Sequence, residues 1–161
     1  MRSRQGEPVM LHQSTRLAIW GLMALMAATR FHHFGDFQTL PDASWAVFFL
    51  AGLFVPHAWG FALLLLEAGL IDWVATQFAG ISDWCITPAY LFLVPTYGVL
   101  WLAGIGCRRC GLDQAAGLIR ALLVLTAAVG IAFVISNASF YLLSGYFGQL
   151  SAGDYIRRIT G

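Results

Sequence analysis

The chain is a succession of apolar stretches, each close to the length needed to cross a lipid bilayer, separated by short polar breaks. A spanning helix needs about 20 mostly apolar residues, because the hydrocarbon core holds no water to satisfy backbone groups. The first stretch runs from about Leu17 to Ala28, with Phe34 as its outer limit. The second starts near Trp45 and ends at Val55-Pro56, and the third runs from about Ala58 to Thr76. The fourth covers roughly Pro88 to Ile105, and the fifth continues from near Gln114 to at least Val134. Asn137 to Leu150 is also apolar, but rich in Ser, Gly and Tyr. It reads either as a sixth span or as an extension of the fifth followed by a structured loop. The expected fold is therefore all-α: one integral membrane domain over residues 1–161, a compact bundle of about six transmembrane helices, five of them clear and the sixth weak.

Composition supports that expectation. Only 11% of the residues are charged and 59% are hydrophobic, whereas soluble domains carry roughly a quarter charged residues. So few charges leave most of the surface to lipid. A net charge of +1 offers no basic face for phosphates, which excludes nucleic acid as a partner. Three scattered cysteines make no disulfide framework. Arg2, Arg4 and Arg16 ahead of Leu17–Ala28 also fit the pattern of a signal peptide, although the later segments would span a membrane regardless.

Arginine sets the expected orientation, since the basic residues contain no lysine. Arg2, Arg4 and Arg16 flank the start, and Arg108 and Arg109 lie between segments four and five. A cytoplasmic N-terminus puts both groups inside. Trp20, Trp59 and Trp101 then fall toward the inner interface, and Trp45, Trp73 and Trp84 toward the outer one. A crossing sixth segment brings Arg157 and Arg158 inside; otherwise they lie outside. Arg120 is read as snorkelling to the inner interface. Gly60, Gly69, Gly80, Gly98 and Gly104 read as packing glycines. Ala24 and Ala28 form a small-xxx-small pair, for intramolecular packing or for docking to another membrane subunit.

Two loops then face outward, Arg30 to Asp42 and Gln77 to Thr87, and they mix aromatic with polar residues. An outward cup with apolar walls and a few polar groups suits a medium-sized ligand. Cys85 lies in the second loop; it reads as a small buried apolar residue or as a thiolate for a soft or borderline metal. No cysteine neighbours it, so such a metal would have to bring most of its own ligands, as a macrocycle does. His32 and His33 are adjacent and lack the i,i+4 spacing of a two-histidine site on one helix. Asp72 and Glu67 lie within an apolar segment, where acids are costly and default to functional candidates. Tyr90 and Tyr97 share a face, as do Pro88 and Pro95, and Pro95 is expected to kink its helix. Cys107-Arg-Arg-Cys110 has thiol-redox spacing, but no strand precedes it and the arginines fit a topology signal.

The Trp84-Cys85 loop leading into Pro88 and Tyr90, with Asp72 before it and His33 in the first outer loop, resembles BtuM-type cobalamin transporters. These are relatives of the substrate-binding S-components of energy-coupling factor (ECF) transporters. The likeness covers about Arg16 to Arg158. It implies an S-component-like bundle in the bacterial inner membrane that takes up cobalamin or a related corrinoid. By the same resemblance Cys85 ligates the cobalt, and His33, Asp72, Tyr90 and Arg158 line the corrinoid pocket. An ECF energising module is an implied partner, with Ala24 and Ala28 on the docking surface. A ligand-lining Arg158 must lie outside, in conflict with a sixth crossing.

Two other classes compete with corrinoid uptake: a membrane thiol-redox protein using Cys107 and Cys110, and a small structural subunit without a ligand. The resemblance also carries a secondary, catalytic expectation, because a thiolate bound to cobalt should labilise cyanide on the opposite face. Cys85→Ala should then abolish decyanation of cyanocobalamin, followed by cyanide release; retained release would remove that expectation.

Overall fold

A computed structural model describes residues 7–30, 42–78, 87–148 and 151–160, with the side chains of the first helix from Thr15 onward. Among these residues the structure is all-helical. The elements are α1 (Glu7–Arg30), α2 (Ser44–Phe54), α3 (Ala58–Phe78), a 3-10 turn (Pro88–Phe92), α4 (Leu93–Cys107), α5 (Ala115–Leu143) and α6 (Ala152–Thr160). Three stretches are long and apolar enough to cross a membrane: Ala58–Phe78, Pro88–Cys107 and Ala115–Leu143.

Helix boundaries follow local chemistry. Val55 ends α2 with a non-helical backbone (φ −128°, ψ 65°) because the following Pro56 disfavours the helical basin for the residue before it. The resulting α2 has 11 residues and is about 16 Å long, roughly half the hydrocarbon thickness. The second expected span is thus too short to cross alone. Pro95 does not kink a helix interior. It falls in the first turn of α4, where its missing N–H leaves no intrahelical bond unmade, and the irregularity is instead the 3-10 turn before it. Thr87 caps that turn by accepting the Ala89 N–H at 3.3 Å.

Each of the first four helices buries one stripe. On α1 it is Ile19, Leu22 and Met26; on α3, Gly60, Leu64, Ala68, Asp72 and Ala75; on α4, Tyr97, Leu100, Gly104 and Cys107. These spacings of three and four are those of one helix face. The stripe of α1 is part of the core, packed with residues of α2, α3 and α4. Phe48 of α2 fills the centre, stacked on Tyr97 at 4.2 Å between ring centroids and meeting Phe61 edge-on at 5.5 Å.

α2 and α4 make the closest helix pair. Gly52 lies against the Trp101 carbonyl and Gly104 against the Phe49 carbonyl, so a Cβ at either would collide with backbone of the other helix. Gly60 is tight as well: a Cβ there would lie 2.7 Å from Val55 Cγ1. Gly69 and Gly98 are not packing glycines, since a Cβ there meets nothing within 4 Å. Gly80 lies outside the described residues. Ala24 and Ala28 both face outward.

α5 has 29 residues and extends through Leu143, absorbing the start of the expected sixth segment. The chain then turns at Gly145, which takes a left-handed φ of +77° that costs glycine nothing. Of the two readings of Asn137–Leu150, the structure therefore takes the extension of segment five. α6, of nine residues, holds Asp154, Arg157 and Arg158 and buries no side chain fully. The alternating run of helices brings the C-terminal ends of α1, α3 and α5 together with the 3-10 turn at one end of the bundle. Trp45 and Trp73 are at that end, and Trp59, Trp101, Arg108 and Arg109 are at the other.

Gly104→Val should force α2 and α4 apart and lower the apparent melting temperature in detergent by about 5 °C or more, as overpacking does. Gly98→Ala should change it by less than about 2 °C, since its site is open. Circular dichroism melts would check both, and equal effects would contradict the close approach.

Candidate functional site

The stripe of α1 ends in a cation and the stripe of α3 runs into an anion. Arg30 is 6% exposed and Asp72 7% exposed, values reserved for charges that are paired. They meet as a two-pronged pair: Arg30 Nε donates to Asp72 Oδ1 at 2.7 Å, and Nη2 donates to Oδ2 at 2.5 Å. This parallel geometry is the strong, directional form of the arginine–carboxylate contact.

The third guanidinium nitrogen, Nη1, donates to Ser44 Oγ at 2.9 Å and to the Tyr97 hydroxyl at 2.8 Å, with Asp42 Oδ2 at 3.4 Å. Ser44 is held in turn by Asp42, whose Oδ1 accepts both the Ser44 N–H (2.9 Å) and its hydroxyl (2.6 Å). Asp42 thus satisfies a free N–H at the start of α2. Thr29 accepts the Ala43 N–H at 3.3 Å, fixing the same segment to the end of α1. The Tyr90 hydroxyl donates to Asp72 Oδ2 at 2.7 Å. One buried guanidinium therefore joins α1, α2, α3 and α4, and Asp72 adds the 3-10 turn. It faces two carboxylates, so the cluster is formally anionic by one charge.

Of the residues expected to bind ligand, Asp72 and Tyr90 are brought together, 18 positions apart in sequence. Cys85 and His33 lie outside the described residues, as does His32. Arg158 lies on α6, with its guanidinium 4.8 Å from the Phe147 ring centroid, and among the described residues no hydrogen bond or ion pair joins it to Asp72 or Tyr90. Its helix is attached to α5 through Tyr141, whose hydroxyl accepts the Ser151 N–H at 3.0 Å and donates to the Ser151 carbonyl at 3.1 Å. Asp154 pairs with Arg157 within α6. A cavity of about 280 Å³ opens beside this joint, lined by Ala138, Tyr141, Leu142, Ser151, Ala152 and Tyr155. It is apolar and contains none of the expected ligand residues.

Glu67 lies on α3 below Asp72, and its Oε2 is buried without a hydrogen-bond partner among the described residues. Cys107 is fully buried at the end of α4 and Cys110 half-buried just beyond; both are free thiols. They touch each other, and the Cys110 N–H donates to the Cys107 carbonyl at 3.0 Å. Among the described residues no group of three or more His, Cys, Asp or Glu side chains is arranged to hold a metal ion.

Arg30, Asp42, Ser44 and Tyr97 were not among the site residues read from sequence. A signal for the first existed. Apart from Arg120, which was read at the inner interface, Arg30 is the one arginine outside both the inner groups and the termini; an arginine at the outer end of an apolar segment needs an acidic partner, and Asp72 was at hand. Tyr97 was visible as the face-mate of Tyr90, although nothing in the sequence pointed it at Arg30.

Comparison with protein-family models and with curated proteins finds no match to this chain.

Asp72→Ala leaves a buried guanidinium without its main partner and should cost about 3–5 kcal/mol of stability. Tyr90→Phe removes one hydrogen bond to the same carboxylate and should cost about 1 kcal/mol. Denaturation in detergent followed by helical signal would rank the two; the reverse order would contradict the described hub.

Proposed function

We propose that this chain is a multi-pass membrane protein that takes up a corrinoid of the cobalamin class, which it binds at the end of the bundle built around Asp72 and Tyr90. The observation that carries the reading is the 2.7 Å hydrogen bond between these two residues. Both were named as pocket residues from sequence resemblance alone, and they come from different elements. A half-buried phenol and a fixed carboxylate suit the amide arms at the rim of a corrin ring.

The membrane setting is supported by three helices of spanning length and by their outward faces. Leu118, Ile119, Leu122, Leu123 and Ile131 of α5 are all more than half exposed. A helix that is apolar all round belongs in lipid or in a larger core. In this reading the N-terminus is cytoplasmic, the membrane is the bacterial inner membrane, and the Asp72 end opens outward. Arg157 and Arg158 then lie outside with α6. Cys85, a few residues before Tyr90 in the chain, is the proposed axial ligand of the cobalt. The corrin supplies four equatorial nitrogens, so one protein thiolate suffices. Whether an ECF module energises transport is a separate proposal, with the outward Ala24 and Ala28 as its contact.

Protein purified in detergent and mixed with cobalamin or cobinamide should retain the corrinoid through gel filtration and shift its visible absorption. Cys85→Ser should lose the shift, whereas the double substitution Cys107→Ala and Cys110→Ala should keep it. No retention by the wild type would overturn the proposal, and loss only in the Cys107/Cys110 double variant would favour thiol chemistry at the other end.

A further inference from the structure

Asp72 and Tyr90 do not stand ready by themselves; a third side chain holds both. We propose that Arg30 is a positioning residue that makes this end of the bundle a receptor for uncharged carboxamide groups and sets it against carboxylates. The inference rests on the corrinoid reading above and names the ligand chemistry of that same site.

Donors and acceptors decide which group fits this end of the bundle. Each guanidinium nitrogen of Arg30 is already engaged: Nε and Nη2 on Asp72, and Nη1 on Ser44 and Tyr97. The cation is thereby committed to the protein, and its fork fixes the plane of the Asp72 carboxylate. A carboxylate oxygen has room for about two hydrogen bonds. Among the described residues Asp72 Oδ2 takes Arg30 and Tyr90, whereas Oδ1 takes Arg30 alone. Oδ1 retains acceptor capacity. The Tyr90 hydroxyl spends its proton on Asp72, so its oxygen is turned into an acceptor too. Tyr90 is only partly buried, which leaves it the more approachable of the two.

An incoming group at this edge therefore meets acceptors. A primary carboxamide brings two N–H donors and no charge. A carboxylate brings only acceptors and a negative charge, next to Asp72 and Asp42 with one guanidinium between them. Lysine could not replace arginine here. An ammonium is a point charge that cannot hold both carboxylate oxygens in one plane while also reaching Ser44 and Tyr97. Without the fork, Asp72 and Tyr90 are free to rotate, and the acceptor edge is lost even though both side chains remain.

The test compares two probes on purified full-length protein in detergent, read by corrinoid absorption: cobinamide, with amide arms, and its analogue hydrolysed to side-chain carboxylic acids. Wild type should bind the amide form at least about tenfold tighter, the size expected from one hydrogen bond to a charged group. Arg30→Lys should lose about tenfold for the amide form and hold less than about threefold preference between the two probes. Helical signal and melting temperature report whether the variant is folded. If Arg30→Lys does not fold, Ser44→Ala, which removes one of the acceptors that fix Nη1 and leaves Asp72 and Tyr90 intact, should lower the preference in the same assay. Equal binding of both probes by wild type, or an undiminished preference in the folded variant, overturns the role of Arg30 while leaving corrinoid binding intact. No binding of either probe by wild type overturns the corrinoid reading and this inference with it.

Discussion

The structure depends on a single buried ion pair, Arg30 with Asp72. Taking two charges out of water costs several kcal/mol each, and mutual attraction offsets that only with good geometry and full hydrogen bonding. Both conditions are met here, by the two-pronged contact and by Ser44, Tyr97 and Tyr90 around it. The partners come from α1, α2, α3, the 3-10 turn and α4. The pair can therefore be satisfied only when these elements are all in place, which gives an otherwise greasy bundle a specific arrangement at one end.

Apolar packing fixes the rest. Helices covered in Leu, Ile and Phe have no preferred register against one another, and in lipid they have little hydrophobic reason to associate. Gly52 and Gly104 supply the register by letting α2 and α4 approach to backbone contact. Phe48 and Tyr97 continue that contact toward the polar end, and the same Tyr97 hydroxyl then accepts from Arg30. Core packing and candidate site are thus one continuous structure, in which a shift of α4 against α2 would be felt at the guanidinium.

Helical class, the approximate position of most segments and the shortage of charge were legible from the order of residues. Asp72 and Tyr90 were singled out there through resemblance, and the two are hydrogen-bonded to each other. Three things were not legible there. The placement of Pro95 depends on where α4 begins rather than on where proline sits. Gly69 and Gly98 look the same in sequence as Gly52 and Gly104; only the neighbouring helix distinguishes them. Arg30 read as part of an outer loop because arginine conventionally ends an apolar segment, and its burial required knowing that Asp72, 42 positions away, is beside it.

By itself the sequence determined that this chain builds apolar helices, with spacings of three and four that mark their buried faces. That information is local: it follows from side-chain hydropathy and helical periodicity. Only the tertiary structure decided which polar groups share one hydrogen-bond network, that α5 runs on to Leu143 before α6 turns aside, and that Arg158 stacks on Phe147. Those outcomes depend on contacts between distant residues, where a buried charge is stable only if its partner arrives from another element.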